Sequence, residues 1–334
     1  MNEFRLIERI RKRISKEKIS PSVVMGIGDD AAVIRTQGKN LLLVTMDTMV
    51  ENIHFYSRGE DFFRIGYKAM ASCISDIAAM GGNPKYALVS LGMSGDNLVE
   101  NVDKLYKGFI KIGSKYNIDI IGGDTVESPR TSVVTLALLG EALPDRIISR
   151  KSAQVGDKLL VTGTFGDSGM GLDILRKKMK ISNGHKKNAR YLVNRHTMPE
   201  PRLKESGIIT SKKLATSMID ASDGLDLSVK LICRESKKGA RIWIDSVPLS
   251  QPLRTMSLNS PDRALRYALY GGEDYELVFT VPPERVDKTL REVGNATVIG
   301  EIAPPEHGIR YFDRNDRKVK INGKGYEHFT IPRR

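Results

Sequence analysis

Apolar and polar residues alternate with two different periods along this chain, and the periods predict where its helices and strands lie. Apolar positions recur at helical spacing near the start, which predicts an amphipathic first helix: Phe4, Ile7, Ile10 and Ile14. Longer helical patterns cover residues 61–80 and 97–116. Apolar runs rich in β-branched residues predict strands at 40–47, 86–93, 118–124 and 132–143.

The second half of the chain mixes the same patterns in a different order. Residues 158–178, KLLVTGTFGDSGMGLDILRKK, predict a strand, a glycine-rich loop and a helix. Residues 217–233 predict a strand, an acidic loop and a helix, and strands follow within 239–249 and 275–282. Because several predicted strands are adjacent, the pattern favours an α+β fold over a strictly alternating parallel sheet.

Length and composition indicate two domains of an ordinary globular protein. At 334 residues the chain is long for one domain, and proline, charge and polar residues cluster at 142–157. We therefore predict domains at 1–146 and 147–334. No apolar run approaches the roughly 20 residues that cross a bilayer, and the basic start lacks the apolar core of a signal peptide.

Cysteine usage and charge indicate which cellular compartment and which classes of partner to expect. The two cysteines, Cys73 and Cys233, lie far apart without a metal-binding pattern, so we expect a reducing cytoplasm. Because no apolar run is long enough to cross a bilayer, we expect no membrane partner. The net charge of +13 leaves nucleic acid open as a partner. Aromatic residues make up only 6% and the basic residues are scattered, so we expect anionic small molecules instead.

Several aspartates stand where an apolar run gives way to a loop. We interpret each as the end of a strand that presents a carboxylate to a shared cleft: Asp29, Asp30, Asp47, Asp124, Asp220 and Asp223. A single such aspartate is an ordinary strand terminator. The repetition of the pattern favours one acidic site.

Asp76 is the most unusual carboxylate in the sequence. It lies in a predicted helix made otherwise of small and apolar residues, YKAMASCISDIAAM. A buried carboxylate needs a cation, several hydrogen-bond donors or a raised pKa. The alternative is a carboxylate that caps a neighbouring loop.

Converging carboxylates without cysteine and with little histidine favour a hard cation such as Mg²⁺, which commonly shares its ligands with phosphate groups. The chain contains no GxxxxGK[ST] loop and no protein-kinase motif set. The glycines of residues 163–171 predict an anion cradle or, alternatively, a tight turn. Composition and spacing therefore predict Mg²⁺-dependent chemistry on phosphates.

An ordered set of motifs resembles the thiamine-monophosphate kinase family. The motifs are GIGDDAAV, TMDTMVENIHF, YKAMASCISDIAAMGGNP, IIGGDTVESP, VTGTFGDSGMGL, HTMPEPRL, IDASDGL and GGEDYEL. The resemblance implies transfer of the γ-phosphate of ATP to thiamine monophosphate, which gives thiamine diphosphate. It also implies the two-domain fold of aminoimidazole ribonucleotide synthetase, with a C-terminal α/β sandwich and a dimer formed through the N-terminal sheets.

The resemblance also implies roles for individual residues. It implies several magnesium ions at Asp30, Thr45, Met46, Asp47, Asp76, Asp124, Asp220 and Asp223. It implies ATP contacts at Gly123, Asp124, Arg150 and Ser222, and acceptor contacts at His54, Glu273 and Tyr326. Without the surrounding motifs, a lone histidine such as His54 is more often structural than functional, and Glu273 is also compatible with a cap on the following strand.

The sequence gives less support to three alternative functions. Selenophosphate synthetase, with the same fold, is expected to carry a reactive cysteine in an N-terminal glycine-rich segment, and this chain has none there. Aminoimidazole ribonucleotide synthetase is the nearest enzymatic alternative, and GGEDYEL and MPEPR favour the thiamine enzyme over it. A non-catalytic nucleic-acid-binding protein would leave the acidic motifs unexplained.

The chemistry of the acceptor predicts the mechanism. A phosphate monoester has a second pKa of about 6, so its oxygen is already ionised at neutral pH. We therefore expect direct in-line transfer, with no general base and no phosphorylated enzyme.

Overall fold

The computed structural model describes residues 3–56, 61–94, 98–176, 179, 181–258, 260–321 and 323. Two β-sheets, each with helices packed on it, follow one another along the chain. The α+β fold predicted from the sequence is confirmed.

The first sheet has six strands. They are β1 (Val23–Met25), β2 (Ala32–Arg35), β3 (Leu41–Val50), β4 (Asn83–Met93), β5 (Asp119–Glu127) and β6 (Val133–Ala142). Their order in the sheet is β1-β2-β3-β6-β4-β5, so β5 forms one edge. Neighbours are antiparallel except β4 and β5, which are parallel.

Three helices accompany this sheet: α1 (Glu3–Ile14), α2 (Phe62–Ala79) and α3 (Leu98–Lys115). Helix α2 begins where the Asp61 carboxylate accepts a hydrogen bond from the Phe63 amide. It packs closely on α3 at Gly66, where a β-carbon would lie 2.2 Å from the Leu105 carbonyl oxygen. Nearly every residue of α2 is buried, because α2 is covered on both sides.

The second sheet has seven strands in the order β13-β12-β9-β11-β7-β10-β8. Its strands are β7 (Lys158–Thr162), β8 (Ser217–Asp220), β9 (Gly239–Trp243), β10 (Leu277–Val281), β11 (Ala296–Ala303), β12 (Ile309–Phe312) and β13 (Lys318–Val319). The accompanying helices are α4 (Asp167–Leu175), α5 (Lys186–Thr197), α6 (Leu203–Ser211), α7 (Leu225–Ser236), α8 (Gln251–Met256), α9 (Pro261–Tyr270) and α10 (Val286–Val293).

Helix α2 joins the two halves. Ala79 of α2 belongs to the same buried apolar cluster as Leu160 and Phe279 of the second sheet. On the same side of α2, Arg64 donates hydrogen bonds to Asn194 at 2.9 Å and Thr197 at 2.6 Å. The two sheets are separated in sequence by residues 143–157, where we predicted the domain boundary.

The predicted elements are present, with one correction that affects the site. Asp47 lies three residues before the end of β3, and Asp124 lies three residues before the end of β5. The interpretation that these two aspartates end their strands is therefore wrong. Only Asp220 ends its strand. Threonine and β-branched residues continue β3 and β5 beyond their aspartates, and pairing with β6 and β4 keeps them extended.

Candidate functional site

Three aspartates from distant parts of the chain meet between the two sheets. Asp30 precedes β2, Asp76 lies in α2, and Asp220 ends β8. One carboxylate oxygen of each lies within 4.8 Å of the others. We call this group the acidic cluster.

Hydroxyl groups hold two members of the acidic cluster in place. The Thr45 hydroxyl donates to Asp76 Oδ2 at 2.6 Å, and the Ser75 hydroxyl donates to Asp220 Oδ2 at 2.7 Å. Each hydroxyl fixes one oxygen of a carboxylate and adds no positive charge. The geometry is therefore fixed while the negative charge remains.

Burial and mutual repulsion disfavour the ionised state of the acidic cluster. Burial raises the pKa values of the Asp30 and Asp76 carboxyls well above their usual value, and neighbouring aspartates raise them further. Burial raises the pKa of Asp220 to about 6. Asp30 Oδ2 is buried and has no hydrogen-bond partner among the described residues. An orphaned carboxylate oxygen among like charges fits an oxygen-ligated cation such as Mg²⁺.

Asp47 and Asp223 surround the acidic cluster. Asp47 lies on the same face of β3 as Thr45, and burial raises the pKa of its carboxyl although a hydrogen bond with Ser72 lowers it. Burial raises the pKa of Asp223 to about 7, and Asp220 adds to that effect. Both carboxylates interact electrostatically with the acidic cluster, but neither belongs to it.

Two predicted metal positions lie apart from these carboxylates. Met46 lies on the opposite face of β3 from Thr45 and Asp47, and its side chain is 66% exposed. Asp124 is exposed on the edge strand β5, where it accepts a hydrogen bond from the Thr125 amide at 3.0 Å.

Arg150 neutralises the aspartate pair that precedes β2. Its guanidinium contacts both Asp29, with Nε 3.3 Å from Oδ1, and Asp30. The Arg150 amide also donates to Asp29 Oδ2 at 3.3 Å. Asp29 therefore holds Arg150 in place, while Asp30 contacts Arg150 and also belongs to the acidic cluster.

A cavity of about 430 Å³ adjoins Asp30 and Arg150. Its lining combines these charged groups with the apolar side chains of Ile7 and Leu231. A cavity lined by both charged and apolar groups suits a nucleotide, whose triphosphate and base have these two characters.

The other two predicted ATP contacts have clear structural roles. A β-carbon at Gly123 would lie 1.8 Å from the Val89 carbonyl oxygen, so glycine is needed where β5 approaches β4. The Ser222 carbonyl accepts a hydrogen bond from the Glu273 amide at 2.6 Å, and the Ser222 hydroxyl lowers the pKa of the Asp220 carboxyl. Ser222 therefore connects the acidic cluster to Glu273.

The predicted acceptor residues His54 and Glu273 lie on either side of Lys68. Lys68 Nζ is 2.8 Å from Glu273 Oε1 and 3.4 Å from the His54 carbonyl oxygen. His54 Nδ1 accepts a hydrogen bond from the Val50 amide at 3.0 Å, so the neutral ring carries its proton on Nε2 and can donate it. The third predicted residue, Tyr326, lies outside the described residues.

The glycine-rich segment at 163–171 binds a carboxyl group that belongs to the chain itself. At the start of α4, the amides of Gly166 and Ser168 donate to the Asp274 carboxylate at 2.7 and 3.0 Å. The loop is therefore an intramolecular connection, and the prediction that it cradles a ligand anion is wrong.

Sequence reasoning found Asp76 but missed the polar residues of α2 that precede it and hold the site together. Arg64, Lys68, Ser72 and Asp76 recur every fourth residue in a largely apolar helix. This spacing places them along one side of the helix. The repeat is visible in the sequence and indicates a buried polar stripe.

Two further predictions concern the surroundings of the protein. Cys73 and Cys233 are both free and buried. Among the described residues, no helix combines the length and the apolar character needed to span a bilayer.

Comparison with known proteins gives matches along most of the chain. The family "AIR synthase related protein, N-terminal domain" matches residues 28–142, and "AIR synthase related protein, C-terminal domain" matches residues 154–313. The thiamine-monophosphate kinase of Buchnera aphidicola subsp. Acyrthosiphon pisum (strain APS) is 37% identical, with 98% of each chain covered. That of Escherichia coli (strain K12) is 36% identical, with 99% of each chain covered.

A solved structure is similar over the whole length as well. "AaThiL complexed with AMPPCP and TMP" has a TM-score of 0.84 and 32% identity, and the match covers 98% of this chain and 97% of the other. Both domains, the sequence relatives and the structural neighbour agree. The chain belongs to the AIR synthase related protein family and, within it, to the thiamine-monophosphate kinases.

Proposed function

We propose that this protein phosphorylates thiamine monophosphate to thiamine diphosphate, with ATP as the phosphate donor. The observation that carries the proposal is the acidic cluster, with its orphaned Asp30 oxygen, in a chain of this family. The similar structure bound to AMPPCP and TMP supports the same pair of substrates.

The acidic cluster would hold magnesium. Asp30, Asp76 and Asp220 are the central ligands we propose, and Asp223, Asp47, Asp124, Thr45 and the backbone of Met46 are the outer ones. When bound, Mg²⁺ supplies charge neutralisation between the two polyanionic substrates. The outer positions leave room for more than one ion.

The chain's own residues orient the two substrates around the acidic cluster. We assign ATP to the cavity beside Arg150, with Ser222, Gly123 and Asp124 as further contacts. We assign His54, whose ring carries its proton on Nε2, to the acceptor site together with Glu273 and Tyr326. The acceptor oxygen is already ionised near neutral pH, so no side chain has to remove a proton.

An ATP-turnover assay with three acceptors tests the function. We expect ADP with thiamine monophosphate and none with free thiamine, because free thiamine offers a hydroxyl in place of a phosphate. Turnover only with formylglycinamidine ribonucleotide would assign the chain to the synthetase reaction instead. Equal turnover of free thiamine would contradict the acceptor site.

Incubation with γ-³²P-ATP alone tests direct transfer. We expect no labelled protein, since the two substrates react within one complex. Labelled protein that passes its label to thiamine monophosphate would show a phosphoenzyme route.

We also propose a homodimer formed through the N-terminal sheets, working in the cytoplasm. Strand β5 is an edge strand, and its Ile121 and Val126 side chains are 56% and 54% exposed. Exposed apolar edges are commonly covered by another chain. Light scattering should give twice the chain mass, and Val126→Lys should give a monomer. A wild-type monomer at micromolar concentration would contradict the proposal.

A further inference from the structure

Lys68 is a buried cation between the two domains. It lies in α2, its side chain is 3% exposed, and Nζ faces three acceptors. These are Glu273 Oε1 at 2.8 Å, His196 Nε2 at 3.3 Å and the His54 carbonyl oxygen at 3.4 Å. An ammonium has three N–H donors, so this set satisfies it. We call these groups the Lys68 cluster.

His196 takes part in the Lys68 cluster as a neutral ring. Burial and the nearby charge of Lys68 lower its pKa to about 3. Because Nε2 faces the ammonium, that nitrogen carries the lone pair and Nδ1 carries the proton. The Nδ1 proton faces Ser168 Oγ at 3.0 Å and Glu273 Oε2 at 3.4 Å. Glu273 therefore has a donor at each carboxylate oxygen.

Glu273 needs such a tether, because its backbone is held in a rarely used conformation. Its φ of +64° lies in the left-handed region, which a residue with a β-carbon seldom adopts. The Glu273 amide bonds the Ser222 carbonyl at 2.6 Å, so this segment lies directly on the loop after Asp220. Lys68 lowers the pKa of the Glu273 carboxyl despite its burial, so Glu273 is an anion.

We propose that Lys68 is a positioning residue for the acceptor substrate. It fixes the Glu273 carboxylate and the His54 segment relative to each other across the domain interface. It does not contact the reacting atoms. This inference rests on the proposed function, in which His54 and Glu273 contact the acceptor.

The position of Lys68 predicts a selective effect. Lys68 is two turns before Asp76 on α2, and its contacts lead to His54, His196 and Glu273, none of which lines the cavity beside Arg150. Without the ammonium, the partly buried Glu273 carboxylate loses its paired cation, and its strained backbone segment relaxes by moving. Acceptor binding should weaken while nucleotide binding remains.

The test compares Lys68→Met with wild type in the full chain. We expect the KM for thiamine monophosphate to rise roughly 10- to 100-fold, as for displaced substrate-positioning groups, and the KM for ATP to change by less than about twofold. Lys158→Met is the matched control, since it breaks a Lys–Glu pair, with Glu301 at 2.7 Å, in the second sheet. The control should leave both KM values unchanged.

A double-mutant cycle identifies the partner of Lys68. If Lys68 acts through Glu273, adding Lys68→Met to Glu273→Gln should raise the KM for thiamine monophosphate by less than about twofold. Full additivity of the two effects would overturn the proposal. So would equal rises of both KM values in Lys68→Met, or an unchanged KM for the acceptor.

Two further results keep the interpretation clear. If Lys68→Met does not fold, Lys68→Gln keeps a polar side chain but removes the charge, and the same selective rise in acceptor KM is expected from it. An unchanged acceptor KM in that variant would overturn the proposal. Wild-type protein that fails to turn over thiamine monophosphate would contradict the proposed function, which is a separate failure.

Discussion

The acidic cluster and the surroundings of Glu276 are two ways of burying carboxylates in one protein. Glu276 receives hydrogen bonds from Thr162 at 2.7 Å, from Arg195 at 2.8 Å and from Arg202 Nε at 2.6 Å. We call these four residues the Glu276 clamp. Although burial alone would raise it, the pKa of the Glu276 carboxyl is lowered by Arg202 and the other donors.

The acidic cluster has the opposite balance. Its pKa values are raised, and within the described part of the chain one Asp30 oxygen has no partner. Its hydroxyl donors carry no charge, and the guanidinium of Arg150 contacts Asp30 alone among its three carboxylates. A satisfied buried ion stabilises a fold, whereas an unsatisfied group of like charges is retained where it binds something. The Glu276 clamp is therefore scaffold, and the acidic cluster is a site.

The largest expected effect is the loss of activity on removing one charge from the acidic cluster. Asp76→Asn and the neighbouring Asp47→Asn should lower kcat on the order of 10²–10³-fold and weaken the magnesium dependence. Their melting temperatures should be unchanged or higher, because repulsion is relieved. Asp145→Asn, at an exposed ion pair with Lys213, is the control that should keep full activity. Near-normal turnover of Asp47→Asn at limiting magnesium would contradict this assignment.

A change in the Glu276 clamp should act on stability instead. Arg202→Met leaves the buried Glu276 with one guanidinium fewer, which should lower the free energy of unfolding by about 3 kcal/mol. Urea unfolding measures the change. The KM for ATP should stay close to the wild-type value, and a large loss of activity without loss of stability would remove the distinction between the two groups.

The raised pKa values of the acidic cluster and of the neighbouring Asp223 should also make stability depend on pH. Raised carboxyl pKa values mean that the folded protein binds more protons than the unfolded chain, so this contribution to stability is lost as pH rises through the folded-state pKa. For Asp220 and Asp223, that window runs from about 4 to between 6 and 7.

Magnesium should reverse this loss. At neutral pH, saturation to a hundred times Kd should raise the free energy of unfolding by about 2.7 kcal/mol, and the gain should shrink as pH falls and protons compete. Thermal unfolding with Mg²⁺ and with a chelator across this window measures it. In Asp76→Asn the gain should be smaller, and a gain independent of pH would contradict the raised pKa values.

The smallest effect is expected at Met46. Its side chain is exposed on the face of β3 opposite Thr45 and Asp47, so Met46→Ala retains any backbone ligand. Activity and magnesium dependence should change by about twofold or less. A larger change in the magnesium requirement would show that the thioether side chain reaches the ion.

The sequence was informative wherever a residue conflicted with its local pattern. Asp76 stands in an apolar helix, and that conflict predicted a buried carboxylate, with a loop cap as the alternative. The alternation of apolar and polar residues predicted the strands that carry the site. It did not predict where β3 and β5 end, because pairing with neighbouring strands extends both beyond their aspartates.

Contacts between distant segments were beyond what local patterns provide. Lys68 and His196 are 128 residues apart, and nothing in either local stretch indicates that their side chains meet. The same holds for Asp274, which occupies the start of α4 from a loop more than a hundred residues away. A glycine-rich loop looks alike in sequence whether its anion is a ligand or a side chain of the same chain.

Helix α2 limits how freely the halves of such enzymes can be exchanged in evolution or by engineering. Its sequence belongs to the first half, yet Arg64, Lys68 and Ser75 bond residues of the second half. A hybrid that joins the first half of one relative to the second half of another would therefore need matching partners at 194, 273 and 220. Helix α2 and its partners must therefore be kept together, because their contacts connect the two segments that a chimera would take from different proteins.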